Sequence, residues 1–420
     1  MTRFLVYTAP ATGHVLPLVP GLLELRRRGH AVHVRTHPGL VADLRALGLD
    51  AAPVDQRVVD VPVTDHEATS DTDRLRAGQV DLMLRGRFDG PDLRAAIDAV
   101  DPDVLLVDAI SYGAQTVAEA SGLPRALVLP SVLPLPGRGV PPYGLGLRPM
   151  RGPLGRLRDA VLMKVVLRMF GRAMLPGLND LRRAEGLPPF ADALDPYRAP
   201  DAVLALTGEP LEYPRTDLPE HVHLVGAQPW DLPAERPAWL DEPGDPWVLV
   251  TCSTDYQGDE ELARTAVEAL RDEPVRVLLT VADAYDTVDL PEAANVRVER
   301  FVPHGHVLPE CAAVVCHGGF GIASKAMAHG VPTVVVPFGR DQPEVARRVV
   351  EAGAGVTLRP RDLSPVRLRD AVADARRLAP AAAAAGATLR AHGGAGRFAD
   401  AAEALAPAAD EEADRALSRG

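Results

Sequence analysis

The sequence predicts an α/β protein of two parallel-sheet domains that face each other across a cleft. Three observations carry this. At 420 residues the chain is too long for one ordinary hydrophobic core, so two domains of about 200 residues each are expected. Short apolar runs alternate with helix-prone stretches through both halves, which is the rhythm of βαβ units and a parallel sheet. Between the halves, residues 228–246 (QPWDLPAERPAWLDEPGDP) are proline-rich, acidic and without periodicity, so they read as a linker.

In the first half, FLVYT is a strand. Pro17 suits the first turn of a helix through LVPGLLELRRR, which Gly29 ends as a C-cap. AVHVRT is the second strand and GLVADLRALG the next helix. DVLLVD and RALVLP are further strands, separated by a helix through AQTVAEASG. Right-handed crossovers place the C-termini of such strands along one edge. Residues 54–88 and 131–156 read as long irregular segments, the second rich in proline. Residues 157–185, centred on VLMKVVLRMF, read as an amphipathic core or pocket-wall helix rather than a membrane-surface one. After the linker the rhythm restarts with WVLVTC, VRVLLTV, CAAVVC and PTVVVPF as strands, and DEELARTAVEALR and ASKAMAHG as helices. The expected boundaries are a first Rossmann-like domain at 1–227, the linker at 228–246, a second at 247–400, and a frayed or weakly helical tail at 401–420.

Composition narrows the function. Apolar residues make up 47% and charged residues 24%, ordinary for a soluble globular protein. A net charge of −12 argues against nucleic acid as a partner, because neutralising phosphates needs a basic face. Cys252, Cys311 and Cys316 lack metal-pair spacing and read as free thiols in a reducing compartment. The apolar run from Phe4 to Tyr7 is too short for a signal peptide, and no run approaches the roughly 18 apolar residues of a membrane span. These features predict a cytoplasmic protein.

The chemistry concentrates in two places. After AAVVC come His317, Gly318, Gly319, Phe320 and Gly321, then helix formers. Glycines there let the backbone bend and approach a ligand, while the N–H groups and dipole of a helix N-terminus favour an anion. Gly319-x-Gly321-x-x-Ser324 half-matches a dinucleotide fingerprint, and a plain tight turn is the bland alternative. Two features pull away from a dinucleotide: the first strand of the chain has no such turn, and a histidine opens this one. The second place is TAPATGH, which sets Gly13 and His14 just past the first strand. His14 reads as a satisfied loop residue or as a general base, since histidine titrates near neutrality. Asp108, at the end of DVLLVD on the same edge, is its candidate partner, although an aspartate at a strand end also commonly caps a helix.

With these residues in view, the chain resembles a family 1 glycosyltransferase of GT-B fold, of the bacterial kind that decorates natural products. The resemblance spans most of the chain and is strongest in the first 40 residues and across 248–358. It rests on GHVLPLVPG, on the turn Thr251-Cys252-Ser253-Thr254, and on FVPHGHVLPECAAVVCHGGFG followed by GRDQ. It implies that His14 deprotonates an acceptor hydroxyl with Asp108 as partner, and that Gly13 lies beside the donor. It also implies that Phe301 stacks on the nucleobase, while His317, Gly319 and the amides of Gly321 and Ile322 hold the diphosphate. Thr254 would contact that group from the facing turn, and Asp341 and Gln342 would bind the hydroxyls of the sugar.

The expected activity is inverting transfer of a hexose-type sugar from a UDP- or dTDP-sugar to a hydrophobic aglycone, without metal or other cofactor. A homodimer is compatible with it. Three departures from the family pattern stand out. Lys325 occupies the place of a glutamate that holds the ribose diol in plant-type UDP-sugar enzymes, Ile322 replaces a hydroxyl side chain, and Ser253 replaces a glycine. Asp71-Thr72-Asp73 and Asp101-Pro102-Asp103 resemble metal-binding pairs but read as solvated turn residues. His304-x-His306 and His221-x-His223 read as structural. The rival readings are a nucleotide-sugar epimerase of the same fold, a dinucleotide-dependent oxidoreductase, and a non-catalytic nucleotide-sugar-binding protein.

Overall fold

The structure, a computed structural model, describes residues 1–68, 70–253 and 260–407. Among these residues the strands form two parallel sheets. The first contains β1 (Arg3–Tyr7), β2 (Ala31–Thr36), β3 (Asp50–Pro53), β4 (Val104–Asp108), β5 (Arg125–Leu129), β6 (Ala202–Ala205) and β7 (Val222–Leu224), in the order β3-β2-β1-β4-β5-β6-β7. The second contains β8 (Trp247–Thr251), β9 (Arg276–Thr280), β10 (Val296–Glu299), β11 (Cys311–Cys316), β12 (Thr333–Val335) and β13 (Gly355–Thr357), in the order β10-β9-β8-β11-β12-β13. The central strands β4 and β8 are buried along their whole length, as both-face coverage by helices requires.

Each sheet is the middle layer of three. Leu18, Leu22 and Leu25 pack on one face of the first sheet, and Leu93, Ala114 and Val117 on the other. Helices Phe320–Ala328, Gln342–Glu351 and Ala379–Ala391 cover one face of the second sheet, and Glu260–Leu270 and Pro365–Arg377 the other.

Irregular chain over 54–88 is corrected from residue 71 onward. Ser70 Oγ accepts from Asp73 N–H at 3.1 Å and caps a helix, Asp71–Val100. Asp71-Thr72-Asp73 therefore lies in a first helical turn rather than a polar loop. Glycines within this helix mask its period, and packing explains them. A Cβ on Gly113 would come within 1.9 Å of the Gly86 carbonyl oxygen, so this helix and Tyr112–Ala120 touch backbone to backbone.

The amphipathic segment after the proline-rich loop is one helix, Gly152–Ala184. Met174 and Leu178 pack against Met83 and Tyr112, while Leu154, Leu157, Val161 and Val165 stay exposed on its outer face.

The domain boundary at residue 400 is also corrected. Helix Ala395–Glu403 returns to the first domain, where Phe398, Ala399 and Ala402 are fully buried and join the core of Leu18, Leu22 and Leu25. Arg28 donates to Asp400 and Glu403 at 2.7 Å each, and Leu405 and Ala406 pack beside them. The alanine-rich sequence hid this: small residues suit close helix packing but carry a weak hydrophobic signal. No helix among the described residues is long and apolar enough to cross a membrane.

Candidate active site

In an open parallel sheet, ligands bind beyond the strand C-termini where the strand order reverses direction. In the first sheet that point lies between β1 and β4. β1 leads into the short helix Thr12–Val15, which carries Gly13 and His14, and β4 ends on Asp108. His14 Nδ1 lies 2.8 Å from Asp108 Oδ2, as the strand-end spacing predicts. Asp108 is buried, and its Oδ1 accepts from Ile110 N–H at 2.9 Å. A carboxylate only accepts, so Nδ1 carries the hydrogen and Nε2 is the basic nitrogen of the ring. The His14 side chain is 27% exposed, enough for one edge to meet a ligand. A Cβ on Gly13 would meet nothing within 4 Å, so space opens beside it.

In the second sheet the reversal lies between β8 and β11. β8 leads to Cys252 and Ser253, both buried; Thr254 lies outside the described residues. β11 leads to His317. Gly318 has φ +97°, and a Cβ there would stand 2.6 Å from Val335 Cγ1, so only glycine fits this turn. His317 Nε2 lies 2.6 Å from where a Gly319 Cβ would be, which places the imidazole over the start of helix Phe320–Ala328. The first N–H of this helix bonded to a helical carbonyl is that of Ala323, to Gly319 O at 3.1 Å. The amides of Phe320, Gly321 and Ile322 therefore precede the helical ladder and point from its N-terminus. A Cβ on Gly321 would meet nothing within 4 Å, so the opening lies there. The Ile322 side chain is buried, which leaves its amide as the group that addresses the opening.

The remaining residues frame this cleft. Phe301 follows β10 and is 55% exposed, an accessible aromatic face. Ser131, in the loop after β5, donates to Asp341 Oδ2 at 2.5 Å and brings the first domain onto the loop that carries Asp341. Gln342 is buried, and its Oε1 accepts from Phe338 N–H (2.7 Å) and Gly339 N–H (3.1 Å). Its carbonyl thus builds the loop that presents Asp341, a role the sequence reading missed. The ammonium of Lys325 pairs with Asp231 of the linker, whose Oδ2 also accepts from Gly305 N–H at 2.8 Å. Ser131 and Asp231 were both missed. Ser131 was within reach, because it follows a strand on the ligand edge.

A buried ion cluster docks the two domains. Arg348, 1% exposed, donates from Nη1 to Glu344 Oε2 at 2.6 Å, and its Nε lies 3.8 Å from Glu212 Oε2. Its guanidinium stacks 4.7 Å over the Tyr213 ring. Glu344 Oε1 accepts from Gly144 and Gly146 N–H at 2.9 and 2.8 Å, and Glu212 Oε1 from Leu133 N–H at 2.6 Å. Burial opposes the charge on Arg348, but Glu212 and Glu344 outweigh it and hold its pKa above the ordinary value. Burial pushes the Glu212 carboxyl up.

The paired histidines have local partners. His304 is half-buried beside Thr280 Oγ1 at 3.3 Å, and desolvation lowers its pKa to about 4. His306 and His221 donate to the carbonyls of Ala234 and Tyr197 at 2.9 and 3.0 Å. Among the described residues, no three His, Cys, Asp or Glu side chains cluster so as to hold a metal.

Comparison with known proteins gives the family and the fold. The chain is 36% identical over 385 residues to the 4'-demethylrebeccamycin synthase of Lentzea aerocolonigenes, an alignment covering 88% of this chain and 90% of that protein. It is 31% identical over 369 residues to glycosyltransferase GtfE of Amycolatopsis orientalis, covering 84% and 85%. The chain belongs to the natural-product glycosyltransferases. The profile of the erythromycin biosynthesis protein CIII-like C-terminal domain matches residues 265–396 of this glycosyltransferase, which contain the turn at His317 and the loop at Asp341. Its fold is GT-B. It superposes on the glycotransferase of kitacinnamycin with a TM-score of 0.74 at 25% identity, covering 97% of this chain and 99% of that one. The superposition on glycosyltransferase VinC, solved in complex with dTDP, has a TM-score of 0.65 at 26% identity and covers 96% and 99%.

Proposed function

We propose that this glycosyltransferase moves a sugar from a nucleoside diphosphate, with inversion, to a hydroxyl of a hydrophobic aglycone. The observation that carries the reading is the His14–Asp108 hydrogen bond at the switch point of one sheet, with an anion-accepting glycine turn at the switch point of the other. The acceptor oxygen attacks the anomeric carbon while His14 Nε2 takes its proton. The bond from that carbon to the diphosphate breaks, and its electron pair stays on the phosphate oxygen. Negative charge grows there, against His317 and the N-terminal amides of helix Phe320–Ala328, so the charge is met by protein groups and no metal step is needed. Asp108 holds the His14 ring and stabilises the imidazolium that forms. Phe301 supplies a face for the base, and Asp341 an acceptor for sugar hydroxyls.

A dTDP-sugar is the favoured donor. At position 325 an amine paired with Asp231 replaces a carboxylate that would hold a ribose diol, so a 2'-hydroxyl has no dedicated acceptor from that position. VinC, a relative of the same fold, is described in complex with dTDP. The acceptor side falls to loop 131–150 and helix Gly152–Ala184.

Thermal unfolding with dTDP, UDP, NAD and NADPH tests this reading. A nucleotide at 100 times its dissociation constant adds about 2.7 kcal/mol to the native state. The expected result is an upward shift with dTDP, a smaller one with UDP at equal concentration, and none with either dinucleotide. A shift with NAD or NADPH alone would transfer the turn at His317 to a redox cofactor and end the transferase reading.

A further inference from the structure

We propose that Asp65 and Arg340 form a positioning clamp through which the first domain sets Asp341 for the donor sugar; this rests on the glycosyltransferase reading above. Asp65 lies in a single helical turn, Asp65–Glu67, before the long helix Asp71–Val100, and is 6% exposed. Both of its oxygens accept from Arg340, Oδ2 from Nε and Oδ1 from Nη2, each at 2.8 Å. This forked pairing fixes the guanidinium in direction as well as distance, which an amine does not do.

The backbone of Arg340 gives the pair its meaning. Its φ is +55°, the left-handed region that glycine occupies freely and a long side chain occupies at a cost. A glycine at 340 would relieve the backbone and forfeit the fork. An arginine in that conformation is therefore explained by its side chain, which reaches the other domain, and its neighbour in the chain is Asp341.

The rest of the loop is held in the same manner. Arg74, in the first turns of helix Asp71–Val100, donates from Nη1 to the Phe338 carbonyl at 2.6 Å. Ser131 donates to Asp341 itself. Gln342 braces the loop from within through the Phe338 and Gly339 amides. Three first-domain side chains, on two separate segments, thus converge on residues 338–341, while the diphosphate turn at 317–322 belongs to the second domain alone. Domain docking accordingly reaches the sugar subsite directly and the phosphate turn at second hand, through Gln342, which lies 3.4 Å from where a Gly318 Cβ would be. Asp65 and Arg340 act through Asp341 and need not touch the substrate.

Calorimetry on the full chain separates the two subsites, with dTDP-glucose and dTDP as probes. In Asp65→Asn the dissociation constant for dTDP-glucose is expected to rise about tenfold relative to that for dTDP, the size of one lost charge-assisted contact, while dTDP binding stays within about twofold. Arg340→Gly relieves the left-handed backbone and removes the fork, so it should show the same selective loss at a temperature where both proteins are folded, whatever its unfolding midpoint. Arg340→Lys should restore only part of it. Equal weakening of both ligands, or no change in their ratio in either variant, overturns the clamp. If the unaltered chain binds neither nucleotide, the glycosyltransferase reading fails first and the clamp falls with it.

Discussion

His14→Ala lowers kcat by about 100- to 10,000-fold, the range a positioned general base contributes. Asp108 fixes the His14 ring through Nδ1, so truncation removes the proton acceptor at Nε2 and touches no group assigned to the donor. Calorimetric affinity for dTDP is accordingly expected to stay within about twofold, and the loss to fall on kcat rather than on donor KM. Asp108→Asn keeps the Ile110 N–H bond at one oxygen but offers the ring an amide in place of a carboxylate. It lowers kcat in the same direction because the imidazolium loses its counter-charge. An alanine variant with full turnover would show that the base lies elsewhere and that the 2.8 Å contact is only a structural tie.

Arg348→Met is expected to destabilise the protein by about 3–5 kcal/mol, the usual result of removing one partner from a buried ion cluster. Methionine fills much of the space, but Glu212 and Glu344 then face each other at 2% exposure without the cation that neutralised them. Their backbone donors, at residues 133, 144 and 146, do not replace a full charge. The cluster joins the loops after β5 and β6 to helix Gln342–Glu351, so the damage falls on the contact between domains. Urea unfolding measures it as a lower midpoint. Adding Glu212→Gln and Glu344→Gln to Arg348→Met is expected to recover part of the loss, since neutral amides carry a smaller burial penalty. A single variant with an unchanged midpoint would contradict this account of domain docking.

The two sheets were legible because buried parallel strands read as short apolar runs, and TAPATGH and VVCHGGFG stand at strand ends where the fold puts ligands. The pairing of His14 with Asp108, 94 residues apart, was legible in part: both strands end on one edge, and the structure makes those strands neighbours in the sheet. What was not legible came from contacts between domains. Asp65–Arg340 and Ser131–Asp341 span 275 and 210 residues, and no periodicity or spacing encodes them. Helix Asp71–Val100 was hidden because its packing against Tyr112–Ala120 uses glycines, which weaken the helical signal of the very segment they let pack closely. The return of helix Ala395–Glu403 to the first domain was hidden for a related reason, since alanines bury without advertising a face. The resemblance implies that Gln342 binds sugar hydroxyls; what it does not encode is that the side-chain carbonyl braces two amides of its own loop.

The most direct test of sugar transfer with inversion is the product itself. The chain is incubated with dTDP-glucose, whose anomeric bond is α, and a panel of hydrophobic aglycones bearing hydroxyls. Products are found by the mass of an added hexose, and the anomeric proton coupling is read by NMR. The account predicts a β-linked glycoside and free dTDP, both lost in His14→Ala. An α-linked glycoside, or a nucleotide sugar returned epimerised or oxidised with no glycoside formed, would contradict it.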